Sequence, residues 1–459
     1  MVVTGEIAEG AAPRILDPRY RLPVIGIVAV MTVVATEAMA VTTVMPTVVR
    51  ALHGLRYYSW GFTAYLLADV VGMVDAGPRT DREGATPSLV GGMVAFTAGL
   101  VVAATATDIW MFLVGRVLQG LGGGSLIVAL YVVIARALPA SLHPKAFALT
   151  SAAWVVPSLV GPSLAGLVAS TLGWRWVFGG MAPLALAGAL VLIPCLRALR
   201  PDAGPPAAGQ PVARRTDAGW ITGVRLAVGL GMVQEAAQLA DGWSVLLVLA
   251  GAGLCRRPLL ALLPAGTFRM TRGLPSVIAL RGILTCAFFG AEAYLPLTLT
   301  RLHGGTPRTV GIPLTIASLG WSAGSWWRGR HSGGRVGSMQ AGFALLATGV
   351  ALLIVIARPW ASLWLATPAW SVAGTGIGLV MPVLSVLLLE QSPEADQGSN
   401  SAALLLSDMT GTVVGIAVIA AMVNGLGLAH LSTAVSIGDV ILAAVAVVGI
   451  WAGTRAVRR

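Results

Sequence analysis

Charge is scarce in this sequence: 11% of its 459 residues are Asp, Glu, Lys or Arg, against 56% hydrophobic. That shortage excludes a large water-soluble domain and implies a chain that crosses a membrane many times. Its three cysteines, Cys195, Cys255 and Cys286, stand far apart in or near apolar stretches, which leaves them as packing residues rather than a disulfide framework. His53, His143, His303, His331 and His430 are equally dispersed, so no metal site is expected. Chemistry motifs are missing too. The stretch Gly161-Pro162-Ser163-Leu164-Ala165 lacks the closing glycine of a nucleophile elbow, no HExxH occurs, and no lysine follows the glycines from Gly120 to Gly124 to hold a phosphate. The chain is therefore expected not to be an enzyme and to need no cofactor. Met1 to Leu22 offers Arg14, Arg19 and Arg21 but no apolar core with a cleavage site, so the first hydrophobic stretch is expected to stay in the protein.

What is present is a succession of apolar stretches near the roughly 20 residues a membrane helix needs. Six fall at about 23–49, 58–77, 87–107, 109–136, 145–170 and 174–197, behind a segment 1–22, and form a first bundle over 23–199. A linker rich in Pro, Ala and Gly covers 200–218; two weaker stretches at 219–238 and 243–262 follow, the second interrupted by Arg256 and Arg257. Six more, at 275–300, 309–327, 338–357, 361–390, 398–425 and 433–454, make a second bundle over 275–455. The expected fold is an all-α polytopic membrane protein: two six-helix bundles with two additional central membrane helices over 219–263.

Arginine placement supports this count. With the N-terminus in the cytoplasm, Arg79, Arg82, Arg136, Lys145, the Arg197 to Arg215 group, Arg256 to Arg272, Arg328 to Arg335 and Arg455 to Arg459 share one side. The other side receives only Arg50, Arg56, Arg175, Arg301, Arg308 and Arg358, as the positive-inside rule requires. A single crossing over 219–262 would invert every later loop, so that region crosses twice or not at all. The net charge of +11 thus reflects membrane orientation, and no nucleic-acid partner is expected. An internal echo at a separation of about 252 residues relates Gly77 to Gly84 with Gly329 to Gly337, and Glu37 is echoed by Glu292. Two related bundles around a central cleft are a transporter architecture.

The stretch from Ile109 to Ser170 organises the rest. Arg116 opens the run Arg116, Gln119, Gly120, Gly122, Gly123, Gly124 inside a segment otherwise apolar, where a guanidinium needs a partner or a water-filled cavity. Downstream, Pro157 and Pro162 interrupt a helix whose Gly161, Ala165 and Gly166 let neighbours come close.

Four signatures in chain order resemble the drug:proton antiporters of the major facilitator superfamily, in its fourteen-helix branch. The loop signature matches Gly77, Asp81, Arg82 and Gly84; the helix-four signature Arg116, Gln119, Gly120 and Gly122; the helix-five signature Gly161, Pro162 and Gly166; the first-helix pattern Glu37 and Pro46. Ala85 and Thr86 stand where that loop usually continues with basic residues, and Pro157 and Ala165 where glycine is preferred. The resemblance implies a proton-coupled exporter of hydrophobic or amphiphilic small molecules such as drugs, working by alternating access in the plasma membrane as a monomer with both termini cytoplasmic. A lipid or metabolite exporter, or an importer of the same fold, stays open.

Within it, Glu37 is the expected proton carrier, with Arg116 its counterpart and Asp69 a second candidate; a static ion pair is the alternative reading. Glu292, Gln119 and Tyr294 are substrate-binding candidates, since an acid among aromatics suits an amphiphilic or cationic ligand. Arg281 lies eleven residues before Glu292, roughly 16 Å along a helix, too far to pair with it. Glu235 and Asp408 are weaker candidates of the same kind, and Arg225 is expected to snorkel. Gly77, Asp81, Arg82, Gly84, Gly161, Pro162 and Gly166 are expected to serve gating, and Trp60, Trp110, Trp174, Trp176, Trp243, Trp326 and Trp327 to mark the membrane interfaces.

Overall fold

A computed structural model of the chain describes residues 15, 17–139, 142–198, 219–239, 243–331, 334–393 and 396–457. Among the described residues the structure is entirely helical. The first group comprises α1 (Pro18–Ala51), α2 (Trp60–Glu83), α3 (Ala85–Thr105), α4 (Ile109–Ala137), α5 (His143–Thr171), α6 (Arg175–Gly179) and α7 (Met181–Ala198). Then come α8 (Gly219–Ala236) and α9 (Trp243–Leu262). The last group is α10 (Leu274–His303), α11 (Pro307–Arg330), α12 (Arg335–Ile356), α13 (Ala366–Gln391), α14 (Gln397–Leu426) and α15 (Leu431–Ala452). Because α6 and α7 divide one expected stretch at Gly180, the helices correspond to the fourteen stretches read from the sequence, several running a turn or more beyond them, as two six-helix bundles and an additional pair. The Arg200 to Arg215 linker lies outside the described residues.

Ten described stretches are long and apolar enough to cross a membrane by length and composition. The sequence of α9 runs through Arg256 and Arg257 as continuous helix, so those charges do not break the span. Helices α2, α5, α8 and α11 are not among the ten: α2 carries Asp69, Asp75 and Arg79, α8 carries Arg225, Gln234 and Glu235, α11 is rich in Gly, Ser and Thr, and α5 contributes only the shorter apolar stretch Val156–Thr171. These are helices that meet between the bundles, where α5 packs on α11 and α8 packs on both α2 and α14. Large apolar side chains such as Leu190, Val94, Leu249 and Val440 face outward, as a hydrocarbon surrounding permits.

Helix ends follow from local chemistry. Asp108 starts α4 by accepting from the backbone N–H groups of Trp110 at 2.9 Å and Met111 at 3.0 Å. Thr306 and Thr309 form a capping box at the start of α11, with Pro307 in its first turn. Gly84 links α2 directly to α3 at φ +84°, a conformation that favours glycine, which explains its place in the loop signature. No close neighbour constrains Gly77.

The glycine run of α4 is a packing device. Gly120 and Gly124, four residues apart, meet the backbone of α2 at Tyr65 and Asp69, while Gly115 and Gly122 meet α3 at Ala103 and Phe96. Small residues at helical spacing let three backbones approach, as membrane packing requires. Gly124→Val is therefore expected to overpack α2 against α4 by about 1–3 kcal/mol. The check is the thermal midpoint of purified protein, which should fall; a midpoint equal to wild type would contradict the backbone approach.

The tryptophans divide. Trp110, Trp176, Trp243, Trp326 and Trp327 are exposed, consistent with interface positions. Trp174 is instead buried, edge-on to Phe112 and Phe178, with the Arg175 guanidinium 4.6 Å from its ring centre. Trp60 is half-buried because its N–H has an acid to bond, as described below. For these two, a local partner outweighs the interface preference.

Candidate functional site

The centre of the first bundle is built where α1, α2 and α4 converge. Arg116 is 3% exposed and Glu37 1%. Arg116 Nη1 pairs with Glu37 Oε1 and also donates to Gln119 Oε1 at 2.6 Å; its Nε donates to the Gly61 carbonyl at 2.9 Å. The guanidinium carbon sits 4.6 Å from the centre of the Tyr65 ring, a cation–π contact. Four groups from three elements thus hold one buried cation, as its desolvation requires. Glu37 Oε2 and Gln119 Nε2 have no hydrogen-bond partner among the described residues. One carboxyl oxygen of Glu37 is thus engaged by the cation and the other is unbonded among the described residues.

Asp69 lies one helical turn from Tyr65 on α2, is 2% exposed, and its Oδ1 also lacks a partner among the described residues. Gly123 of α4 faces both groups: a Cβ there would stand 2.7 Å from Tyr65 Oη and 3.3 Å from Asp69 Oδ1. Tyr65 thus touches the Arg116 guanidinium and lies near Asp69, without a hydrogen bond to it. Tyr65, unlike its two acidic neighbours, was not singled out in the sequence; its spacing of four from Asp69 was the available signal.

In the second bundle, Glu292 on α10 lies beside Trp370 of α13. Phe288, one turn earlier, stacks on Trp370 with ring centres 4.8 Å apart and meets Trp321 of α11 edge-on at 5.7 Å. An acid next to a three-ring aromatic cluster has the chemistry that a cationic or amphiphilic group is attracted to. Tyr294 is placed differently. It is buried at the seam between bundles, its ring 5.0 Å from that of Tyr58, whose hydroxyl donates to the Ala293 carbonyl at 2.5 Å. Arg281 does not pair with Glu292; its Nε and Nη2 bind Asp408 Oδ2 of α14 at 2.8 Å and 2.7 Å.

The bundles meet at the end that carries the α1–α2 connection. Gly166 of α5 lies against the Pro307 backbone, Gly311 of α11 against the Pro162 backbone, and the Ser163 and Thr315 hydroxyls bond at 2.7 Å. Gly161 faces Met39 of α1 instead. Of the expected gating residues, Pro162 and Gly166 are thus at an inter-bundle contact. The side chains of Asp81 and Arg82, on the last turn of α2, lie outside those described.

Helix α8 and the turn that follows it add a polar bridge that the sequence does not announce. Gln234 accepts from Thr63 at 3.1 Å and donates to Ser59 at 2.7 Å; Gln238 donates to Ser59 at 2.6 Å and accepts from Asn424 of α14 at 2.9 Å. Glu235, one of the weaker candidates, accepts from Trp60 Nε1 at 2.9 Å. Amides at positions 234 and 238 recur at one-turn spacing, which was the legible signal; that they bond residues of both bundles was not.

Comparison with known proteins gives a consistent result. Residues 27–416 match the sequence pattern of the Major Facilitator Superfamily. A probable multidrug-efflux transporter of Mycobacterium tuberculosis is 29% identical over 416 residues, covering 88% of this chain and 87% of that one. The multidrug transporter protein MdtP of Bacillus subtilis is 25% identical over 417 residues, covering 88% and 75%. Among solved structures, an auto-inhibited POT family peptide transporter superposes with TM-score 0.66 over 95% of this chain and 97% of that one at 16% identity. A bacterial homologue of the lysosomal transporter Spinster, in an inward-facing and unoccupied conformation, gives 0.62 over 96% and 98% at 13% identity.

Proposed function

The chain belongs to the Major Facilitator Superfamily, and from that premise we propose that it is a proton-coupled exporter of hydrophobic or amphiphilic small molecules such as drugs, of the fourteen-helix branch. The relatives named for multidrug efflux support the substrate class. The observation that carries proton coupling is the buried Glu37–Arg116 pair with its free carboxyl oxygen. Protonation of Glu37 removes the charge that holds Arg116, so the cation falls back on Gln119, Gly61 and Tyr65; loss of the proton restores the pair. The change is local, but α1, α2 and α4 all contribute to it, so it biases how the first bundle packs. Substrate enters at the Glu292 aromatic cluster, and Asp69 is the reserve proton site. The division of the chain at 23–199, 219–263 and 275–455 belongs to this proposal, as does the gating role of Gly77, Asp81, Arg82 and Gly84.

Cells expressing the protein are expected to retain less of a fluorescent lipophilic dye than cells expressing Glu37→Gln, and a protonophore should remove the difference. Equal retention in the two populations would contradict export through this centre.

The same reading places both termini and the 200–218 linker in the cytoplasm of a plasma-membrane protein, on the arginine distribution. Ala207→Cys, in a background without Cys195, Cys255 and Cys286, should resist an impermeant thiol reagent added outside intact cells and react after permeabilisation. Labelling from outside would invert the topology.

A further inference from the structure

Asp439 is a buried acid to which nothing above gives a role. It lies eight residues into α15, is 1% exposed, and neither carboxyl oxygen has a hydrogen-bond partner among the described residues. It opens onto a small cavity lined by Ala291, Leu295 and Thr298 of α10, Leu353 and Ile356 of α12, and Val435 of α15. The cavity holds about 10 Å³, close to the space of one water molecule.

An unpaired acid inside a membrane helix bundle is costly and needs a reason. The groups around it supply no counter-charge. On α10 the titratable and charged side chains of this half are Glu292, Tyr294, Arg301 and His303; α12 has none after Arg335; α14 has Asp408, already engaged by Arg281; the short turn before α15 adds His430. His303 bonds the carbonyl of Ile356, which lines the cavity, at 2.7 Å. None of these is bonded to Asp439. Among the described residues a carboxylate here has neither cation nor donor bonded to it, whereas a carboxylic acid has one hydroxyl to satisfy and one water-sized space beside it.

We propose that Asp439 is a proton-binding site of the second bundle, separate from the Glu37–Arg116 centre, which takes a proton when α15 closes on α10 and α12 and releases it when water widens that cavity. The release has a route to the rest of the molecule. The face of α10 that covers Asp439 carries Ala291, Leu295 and Thr298, while the adjoining Ala293 and Tyr294 meet Tyr58 of the other bundle. Repacking at Asp439 therefore moves the helix that makes the inter-bundle contact. Use of this proton in transport rests on the proposed coupling; its binding does not.

Infrared difference spectra of the full chain in lipid bilayers, recorded on stepping the pH, test the site without any transport assay. The wild type should lose a protonated-carboxyl band reversibly as pH rises. Asp439→Asn should lack that component, Glu37→Gln should keep it, and Asp439→Glu should shift it. Identical difference spectra for wild type and Asp439→Asn would overturn the proposal. Should Asp439→Asn fail to fold, Asp439→Glu decides: a shifted band supports the site and an unshifted one overturns it. Failure of the Glu37 reading leaves the Asp439 component in place, so the two are distinguishable.

Discussion

Glu37→Gln is expected to abolish proton-driven transport while leaving the protein folded and able to bind ligand. The amide keeps the volume of the acid and can still accept from Arg116 through its oxygen, so the packing of α1 against α4 survives. What it cannot do is exchange a proton. Uphill transport in response to a pH gradient should fall to background, whereas downhill exchange of substrate across unenergised membranes should persist. Arg116→Ala is a harsher change, since it strands a buried carboxyl and costs about 3–5 kcal/mol if the pair is broken from one side. It should stop both modes. A Glu37→Gln protein that still couples at the wild-type rate would make the pair structural and move attention to Asp69.

The second large effect is expected at the α5–α11 seam. Gly311 faces the Pro162 backbone and Gly166 the Pro307 backbone, with no flexible side chain available to yield. Gly311→Leu should therefore prevent closure of the end that carries the α1–α2 connection. Overpacking of about 1–3 kcal/mol against one of two states shifts their balance by roughly 5–150-fold. A cysteine placed at Ser163 reports this directly: its reactivity with a water-soluble reagent should rise in the Gly311→Leu background and transport should fall. Unchanged reactivity would show that this contact is not broken in the cycle.

Much of this was legible because membrane physics leaves large signals. Apolar length gave the helices, and a lone arginine in an apolar segment identified Arg116 and, through its need for a partner, Glu37. The two bundles with an additional helix pair were likewise readable from hydropathy. The failures share one cause. Which face of a helix meets which neighbour depends on packing that sequence spacing does not determine, so Trp174 reads as an interface residue yet is buried against Phe112 and Phe178. The polar bridge of Gln234 and Gln238, and the partnerless Asp439, were invisible for the same reason: one acid or two amides in an apolar helix do not say what surrounds them.

In the proposed mechanism a proton gradient drives export through the Glu37 centre. It is tested most directly in proteoliposomes of purified wild-type protein, loaded with buffer alone and given an imposed pH gradient. Accumulation of a lipophilic dye against its own gradient, accompanied by proton movement in the opposite direction that requires the dye, is the predicted result. Dye movement that only runs downhill, with no substrate-dependent proton flux, would contradict it.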